Sequence, residues 1–167
     1  FKASLLFGAP VGLLSGTVIS LIKANLSIRI PEHLTTQLLA LDFPIYAKIF
    51  YLGVTEEIIF HWGILTTVAW IGFKLSRHET WSNRVHFPII YIAIIVSSIV
   101  MALSRIPFLY TLSPEIELSG QVLFLIPTFL LSIFTGYLYW RRGLEAAIVA
   151  HIVARTIQTQ FESLLNL

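Results

Sequence analysis

The sequence contains no cysteine and few charged residues. None of the 167 residues is cysteine, which excludes disulfides, thiolate metal sites and a cysteine nucleophile. Asp, Glu, Lys and Arg make up only 12% of the chain, about half of the roughly 25% that is typical of soluble domains. The mean hydropathy is +0.82. Together these values exclude an ordinary soluble domain.

The charged residues that are present leave long stretches almost free of charge. Five stretches reach about the twenty residues that a helix needs to cross a hydrocarbon core of about 30 Å. They cover about 3–22, 44–73, 88–109, 120–140 and 143–165. We therefore predict an all-α, polytopic transmembrane helix bundle that forms a single domain over 1–167. A short interfacial helix is expected at about 32–42, before the second span.

Basic residues are concentrated in alternate loops. Those after the second span and between spans four and five are basic, with Lys74, Arg77, Arg84, Arg141 and Arg142, whereas Glu115 and Glu117 make the loop at 110–119 acidic. By the positive-inside rule, the N-terminus and the basic loops should be cytoplasmic. The protein is expected to be an integral, multi-pass membrane protein, in the plasma (inner) membrane if the source is prokaryotic. No nucleic-acid partner is expected.

A small set of ionisable residues lies inside the predicted spans. Each costs roughly 2.5–3.5 kcal/mol on insertion scales, so such groups usually face the bundle interior and pair with one another. Span two contributes Glu56, Glu57 and His61, span three Arg105, and span five His151 and Arg155. Glu145 also lies in span five, but it stands in the first helical turn, where a carboxylate favours the helix N-terminus. The remaining six residues are the candidate site.

Helical spacing groups these residues further. Glu57 and His61 are four residues apart and share a helix face, as do His151 and Arg155. Glu56 lies about 100° around the helix from Glu57, so one carboxylate is expected to face a cavity while the other joins neighbouring helices. Two glutamates balance two arginines. The residue types alone fit a structural ion-pair network as well as a site with a carboxylate base, proton-carrying histidines and an oxyanion-stabilising arginine.

The stretch "EEIIFHWGIL" (56–65) resembles the first signature of the CPBP family, the CAAX proteases and bacteriocin-processing enzymes that are also called Abi proteins. That signature is a Glu-Glu pair, three residues and an Arg, commonly with Phe before the Arg. Glu56, Glu57 and Phe60 match it. His61 stands where Arg is usual.

Two later stretches carry the rest of the resemblance, which covers about 44–160. "GYLYWRRGLEAAIVAHIVARTI" (136–157) resembles the third signature, with His151 matching and Arg155 in place of Asn or Asp. The second signature is Phe-x-x-x-His, for which "SSIVMALSRIPF" (97–108) has the right surroundings. There Met101 takes the Phe position and Arg105 the His position. His61 and Arg105 thus resemble an exchange of the family's Arg and His between spans two and three.

The resemblance implies an intramembrane endopeptidase acting on a peptide or prenylated-protein substrate. In the family the first-signature glutamate activates a water with help from the second-signature histidine, and the last His and Asn shape the oxyanion site. The family has been described both as metalloproteases and as metal-independent glutamate proteases. No cofactor is expected here, and zinc is disfavoured because two nearby arginines would repel a divalent ion. Known members have more than five helices, so N-terminal helices are expected to be missing.

Two functional hypotheses follow. In the first, the chain is an active endopeptidase with Glu56 or Glu57 as base, His61 and His151 assisting, and Arg105 and Arg155 at the remaining signature positions. In the second, it is a catalytically degenerate relative that serves as a scaffold or regulatory partner of another membrane protein. A proton-coupled or anion transporter ranks third, since the sequence has no internal repeat or broken-helix signal.

Overall fold

A computed structural model of the chain describes residues 2–27, 44, 46, 48–76, 83–112 and 117–165. Every regular element in these ranges is helical, which confirms the predicted fold class. The elements are α1 (Lys2–Ser27), two π-helical segments π1 (Lys48–Thr55) and π2 (Glu57–Leu65), α2 (Thr66–Leu75), α3 (Asn83–Leu103), α4 (Ile106–Leu112), α5 (Leu118–Arg142) and α6 (Leu144–Leu165). The expected helix at 32–42 lies outside the described residues. So do Arg77 and Glu115 of the predicted loops. The single-domain organisation stays a prediction.

Four helices in the described ranges are long and apolar enough to cross a membrane. They are Lys2–Ile22, Gly53–Leu75, Phe87–Thr111 and Leu118–Arg142, and they match the first four predicted spans. The fifth predicted span forms α6, whose 22 residues extend about 33 Å at 1.5 Å per residue. This helix is not among the four because it carries several polar side chains. Its alanine face is instead buried against α1.

A ladder of small residues joins α1 to α6. Gly8 of α1 lies against Ala146, Gly12 against Ala150 and Gly16 against Ala154. The three alanines are fully buried, and this close approach of small residues is how helices associate in lipid. Since residue numbers rise together on both helices, α1 and α6 run parallel. α6 therefore lies at the same depth as α1, alongside a helix that can span the membrane.

The second membrane helix, residues 48–75, is built from π1, π2 and α2, and we call it the signature helix. Glu56 joins the two π-helical segments with α-helical backbone angles (φ −65°, ψ −41°). π-helical turns are rare and frequent at functional sites. Because a π-helix closes i→i+5 bonds, it has more residues per turn and turns successive side chains by less than an α-helix does. Glu56 and Glu57 thus lie at the junction of two π-helical segments.

The third predicted span is broken between α3 and α4. Pro107 lacks an N–H and its ring would clash with the carbonyl of Leu103 in a continuous helix. The break falls at Ser104 and Arg105, where the Arg105 N–H donates to Ala102 O at 3.0 Å. Arg105 thus occupies the junction of the two helices, opposite the signature helix.

Interhelix contacts order the ends of the bundle. The signature helix runs antiparallel to α3, because Gly72 lies against Ile89 while Glu56 contacts Arg105. At the end that holds Gly72, Lys74 lies over the ring of Trp70, and Arg142 lies 3.6 Å over the ring of Phe7 in α1. Lys74 and Arg142, from two of the predicted basic loops, therefore lie at one end of the bundle, while the sidedness itself stays a prediction. The outer faces expose large apolar side chains, including Leu6, Leu14 and Ile92.

Candidate active site

Glu57 is the centre of a buried polar cluster. Glu57 has no solvent exposure, and each of its carboxylate oxygens has one imidazole partner. Oε2 lies 2.7 Å from Nδ1 of His61, and Oε1 lies 2.6 Å from Nδ1 of His151. The His61 contact confirms the predicted i, i+4 pair, and the His151 contact joins the signature helix to α6. A buried carboxylate needs such partners, since an unpaired charge in the interior is costly.

The partners of His151 define its protonation. The Nε–H of Arg155 donates to Nε2 of His151 at 3.3 Å. An arginine can only donate, so Nε2 is the acceptor and Nδ1 carries the proton. That Nδ1–H donates to Glu57 Oε1. His151 is therefore a neutral imidazole whose Nε2 lone pair is directed away from Glu57. Arg155 also donates to Oε1 of Gln158 at 3.2 Å, which holds the guanidinium in place.

His61 is held on its other side by Ser132 of α5. Nε2 of His61 lies 3.1 Å from the Ser132 carbonyl oxygen and 3.3 Å from its hydroxyl oxygen. The hydroxyl can donate to a neutral imidazole, and the carbonyl can accept from a protonated one. Gly136 closes this side of the ring, because a Cβ there would lie 3.0 Å from His61 Nε2. His61 is fully buried.

Glu56 differs from Glu57 in how its oxygens are used. Oε1 accepts from Nη2 of Arg105 at the α3–α4 break. Oε2 is buried and has no hydrogen-bond partner, although Nε2 of His151 lies 3.8 Å away and Nη2 of Arg155 lies 3.9 Å away. These separations exceed hydrogen-bond length. Separations of this size are bridged by water in many proteins.

All six predicted site residues thus belong to one connected network. The two carboxylates were predicted to point in different directions. Glu56 contacts Arg105 and Glu57 contacts His61, as that prediction implies. Both carboxylates nevertheless approach His151, from its opposite nitrogens. His61 and Arg105 do not exchange places around one carboxylate, because His61 contacts Glu57 and Arg105 contacts Glu56.

Sequence reasoning missed the α5 residues that contact His61 and a hydrogen bond from α3 to the backbone of the signature helix. Ser132 and Gly136 hold His61, and the hydroxyl of buried Ser97 donates to Phe60 O at 2.7 Å, next to His61. The available signal was a small polar residue and a glycine four apart in span four, facing the helix that carries the glutamates. Gly53 contributes as well, since a Cβ there would lie 2.8 Å from Ile152, next to His151.

The side chains here are a poor fit to a metal. Within the described ranges, no three His, Cys, Asp or Glu side chains are grouped as metal ligands. The Nδ1 atoms of both histidines are engaged with Glu57, and guanidinium groups adjoin Glu56. Positive charge at that distance opposes binding of a divalent cation. We therefore derive no chemical step through a metal.

Comparison with known proteins identifies the family. The model of the type II CAAX prenyl endopeptidase Rce1-like family matches residues 39–157, more than half of the chain and a range that includes all six network residues. Searches of curated proteins and of solved structures each found no match. The predicted CPBP resemblance is confirmed. The chain belongs to the Rce1-like family of type II CAAX prenyl endopeptidases.

Proposed function

We propose that the protein is an intramembrane endopeptidase in which Glu56 is the general base that activates water. The observation that carries this proposal is the free Oε2 of Glu56, a buried carboxylate oxygen without a hydrogen-bond partner. Both oxygens of Glu57 are engaged by imidazoles. Glu57 therefore serves to orient its neighbours, and Glu56 keeps a lone pair for chemistry.

The surroundings of Glu56 Oε2 suit a hydrolytic water. A water between Glu56 Oε2 and His151 Nε2, which are 3.8 Å apart, donates one proton to the carboxylate, while Nε2, which already accepts from Arg155, limits where the water can lie. Such a water has its own lone pairs left to attack a carbonyl carbon. The distance between the groups and the unpartnered state of Glu56 Oε2 support this placement.

Hydrolysis then balances as follows. Glu56 Oε2 removes a proton from the water while the water oxygen bonds to the scissile carbonyl carbon. The resulting oxyanion is stabilised by Arg155, which stays charged because arginine does not deprotonate in proteins. Protonated Glu56 then donates to the amide nitrogen, the C–N bond breaks, and a carboxylic acid and an amine leave, after which the acid loses its proton to the amine or to solvent. Removing such a base typically lowers the rate about 10²- to 10⁴-fold.

The family indicates the substrate class. A CAAX endopeptidase acts on a peptide or prenylated protein in the membrane, and we propose a prenylated peptide for this chain. The localisation proposed with it is a multi-pass protein of the plasma (inner) membrane if the source is prokaryotic.

The test is cleavage of a quenched fluorescent prenylated peptide by the full chain in liposomes. Glu56→Gln should lower kcat by about 10²-fold or more. Glu145→Gln is the matched control. The Glu145 carboxylate lies in the first turn of α6, is exposed and accepts from Ser4. The kcat of Glu145→Gln should therefore equal that of the unmodified protein. A Glu56→Gln variant as active as the unmodified protein would show that Glu56 is not the base.

A second function, the catalytically degenerate scaffold, is favoured by one contact. Arg105 forms an ion pair with Glu56, the carboxylate that would act as base. Arg105 also takes the position of the second-signature histidine. If this pair has replaced catalysis, the unmodified protein cleaves nothing, and Arg105→His combined with Arg155→Asn restores cleavage. If catalysis is retained, the unmodified protein cleaves and depends on Glu56.

A further inference from the structure

A continuous hydrogen-bonded chain crosses the bundle interior from α5 to α6. It runs from Ser132 to His61, then through the two oxygens of Glu57 to His151, and ends at Nε2 facing Glu56. The three central residues have no solvent exposure. Of the two imidazoles in this series of hydrogen bonds, the proposed reaction uses only that of His151. His61, at the position where the family has arginine, has no role in that reaction.

We propose that His61, held by Ser132, is a positioning residue that fixes Glu57 so that His151 stays in its Nδ1–H tautomer with Nε2 facing the Glu56 carboxylate. The effect on turnover rests on the proposed function. The effect on the tautomer of His151 does not, because it follows from the hydrogen bonds alone.

The geometry of Glu57 explains why His61 has this effect. A carboxylate with a free oxygen can rotate, and it can turn either oxygen toward either neighbour. His61 takes Oε2 at 2.7 Å, which leaves Oε1 for His151 at 2.6 Å. With both oxygens engaged, the acceptor opposite His151 Nδ1 is constant. A carboxylate partner that fixes the tautomer of a histidine in this way is a common orienting device.

Ser132 makes His61 a dependable partner. Its hydroxyl serves the neutral ring and its carbonyl serves the protonated ring, both at Nε2. In either state Nδ1 of His61 carries a proton and donates to Glu57. Among the described residues, Tyr139 of α5 also lies near the ring, with its ring centroid 6.3 Å away, and Gly136 adjoins Nε2; neither of these residues carries charge. Glu57 is the nearest charged group.

The direct test is nuclear magnetic resonance of the full chain in lipid, with nitrogen-15-labelled histidine. The signal of His151 is assigned by its loss in His151→Gln. We expect it to report a protonated Nδ1 and an unprotonated Nε2. In His61→Leu, which removes the donor to Glu57 Oε2, the pattern should change to a mixture of tautomers. In His61→Gln, whose amide can donate to the same oxygen, the original pattern should return.

Two further variants keep the result interpretable if His61→Leu does not fold. Ser132→Ala removes only the hydroxyl and should shift the His61 signal toward the protonated ring while leaving the chain folded. Ser97→Ala is the matched control, because it removes a buried hydrogen bond to Phe60 O in the same π-helical segment without touching the network. The His151 signal should be unchanged in Ser97→Ala.

Turnover gives the second readout. In His61→Leu, kcat should fall by up to about 100-fold, the usual cost of misplacing a reacting group, with KM unchanged and with rescue by His61→Gln. An identical His151 signal in His61→Leu and the unmodified protein would overturn the proposal, even if cleavage is observed. If no cleavage is observed but the His151 signal changes as expected, the positioning role stands and the proposed function fails.

Discussion

Gly12→Ala should loosen the contact between α1 and α6 and disturb the site, although the substitution is far from any reacting group. The Cβ added at position 12 would lie 2.5 Å from the Ala150 carbonyl oxygen and 2.8 Å from Cβ of Val153. Ordinary contacts of a Cβ begin at 3.4 Å. The two helices must therefore separate locally by about 0.9 Å, the difference between these distances.

Separation by this amount has consequences for both stability and activity. Overpacking of a well-packed interior costs about 1–3 kcal/mol, which exceeds the gain of up to about 1 kcal/mol from replacing glycine by alanine in a helix. α6 is also tight against π1 at Gly53, so it has little room to retreat from Gly12. A comparable shift of His151 would lengthen its 2.6 Å contact with Glu57 beyond hydrogen-bond length.

The assay is thermal unfolding of the full chain in lipid nanodiscs, followed by cleavage of the prenylated peptide. We expect Tm to fall by about 2–4 °C per kcal/mol lost, and kcat to fall by up to about 10²-fold, as for a misplacement near 1 Å. The matched control is Gly63→Ala in the signature helix, where the added Cβ meets only Ile58 O at 3.5 Å. The control should keep its kcat and retain or raise its Tm.

If Gly12→Ala raises Tm as much as Gly63→Ala does, the close approach of α1 and α6 is wrong. If Tm falls but kcat is unchanged, the contact is correct and the α1–α6 spacing does not control the position of His151.

Two smaller substitutions compare the contact of Gly136 with the His61 ring and a nearby hydrogen bond to the helix backbone. Gly136→Ala should lower kcat about tenfold, which displacement of an orienting group typically costs. The added Cβ would lie 3.0 Å from His61 Nε2 and 3.3 Å from Ile94. An unchanged kcat would contradict the contact between Gly136 and His61. Ser97→Ala should lower the free energy of unfolding by about 1 kcal/mol, the usual contribution of one hydrogen bond, with kcat unchanged. Chemical denaturation in mixed micelles measures the free energy of unfolding. A loss of kcat in Ser97→Ala equal to that in Gly136→Ala would show that Ser97 also positions His61.

The membrane class, the helices and the candidate residues were all predictable because their signals are local or compositional. Charge-poor stretches of about twenty residues determine spans wherever they pack. The Glu57–His61 pair depends only on helical spacing, so it was predicted and is present at 2.7 Å. The family was recognised from short stretches of sequence whose order and spacing do not depend on the exact packing.

The roles within the site were decided by tertiary packing. The contact between Glu57 and His151 joins residues 94 positions apart, and that between Glu56 and Arg105 joins residues 49 apart. Which oxygen of which glutamate is left without a partner depends on how α3, α5 and α6 pack around the signature helix. The π-helical turns on either side of Glu56 leave no mark on the apolar pattern, because every side of this helix adjoins either lipid or another helix. The sequence by itself therefore determined which groups lie in the membrane interior, and the packing of the helices determined which carboxylate oxygen is left without a hydrogen-bond partner.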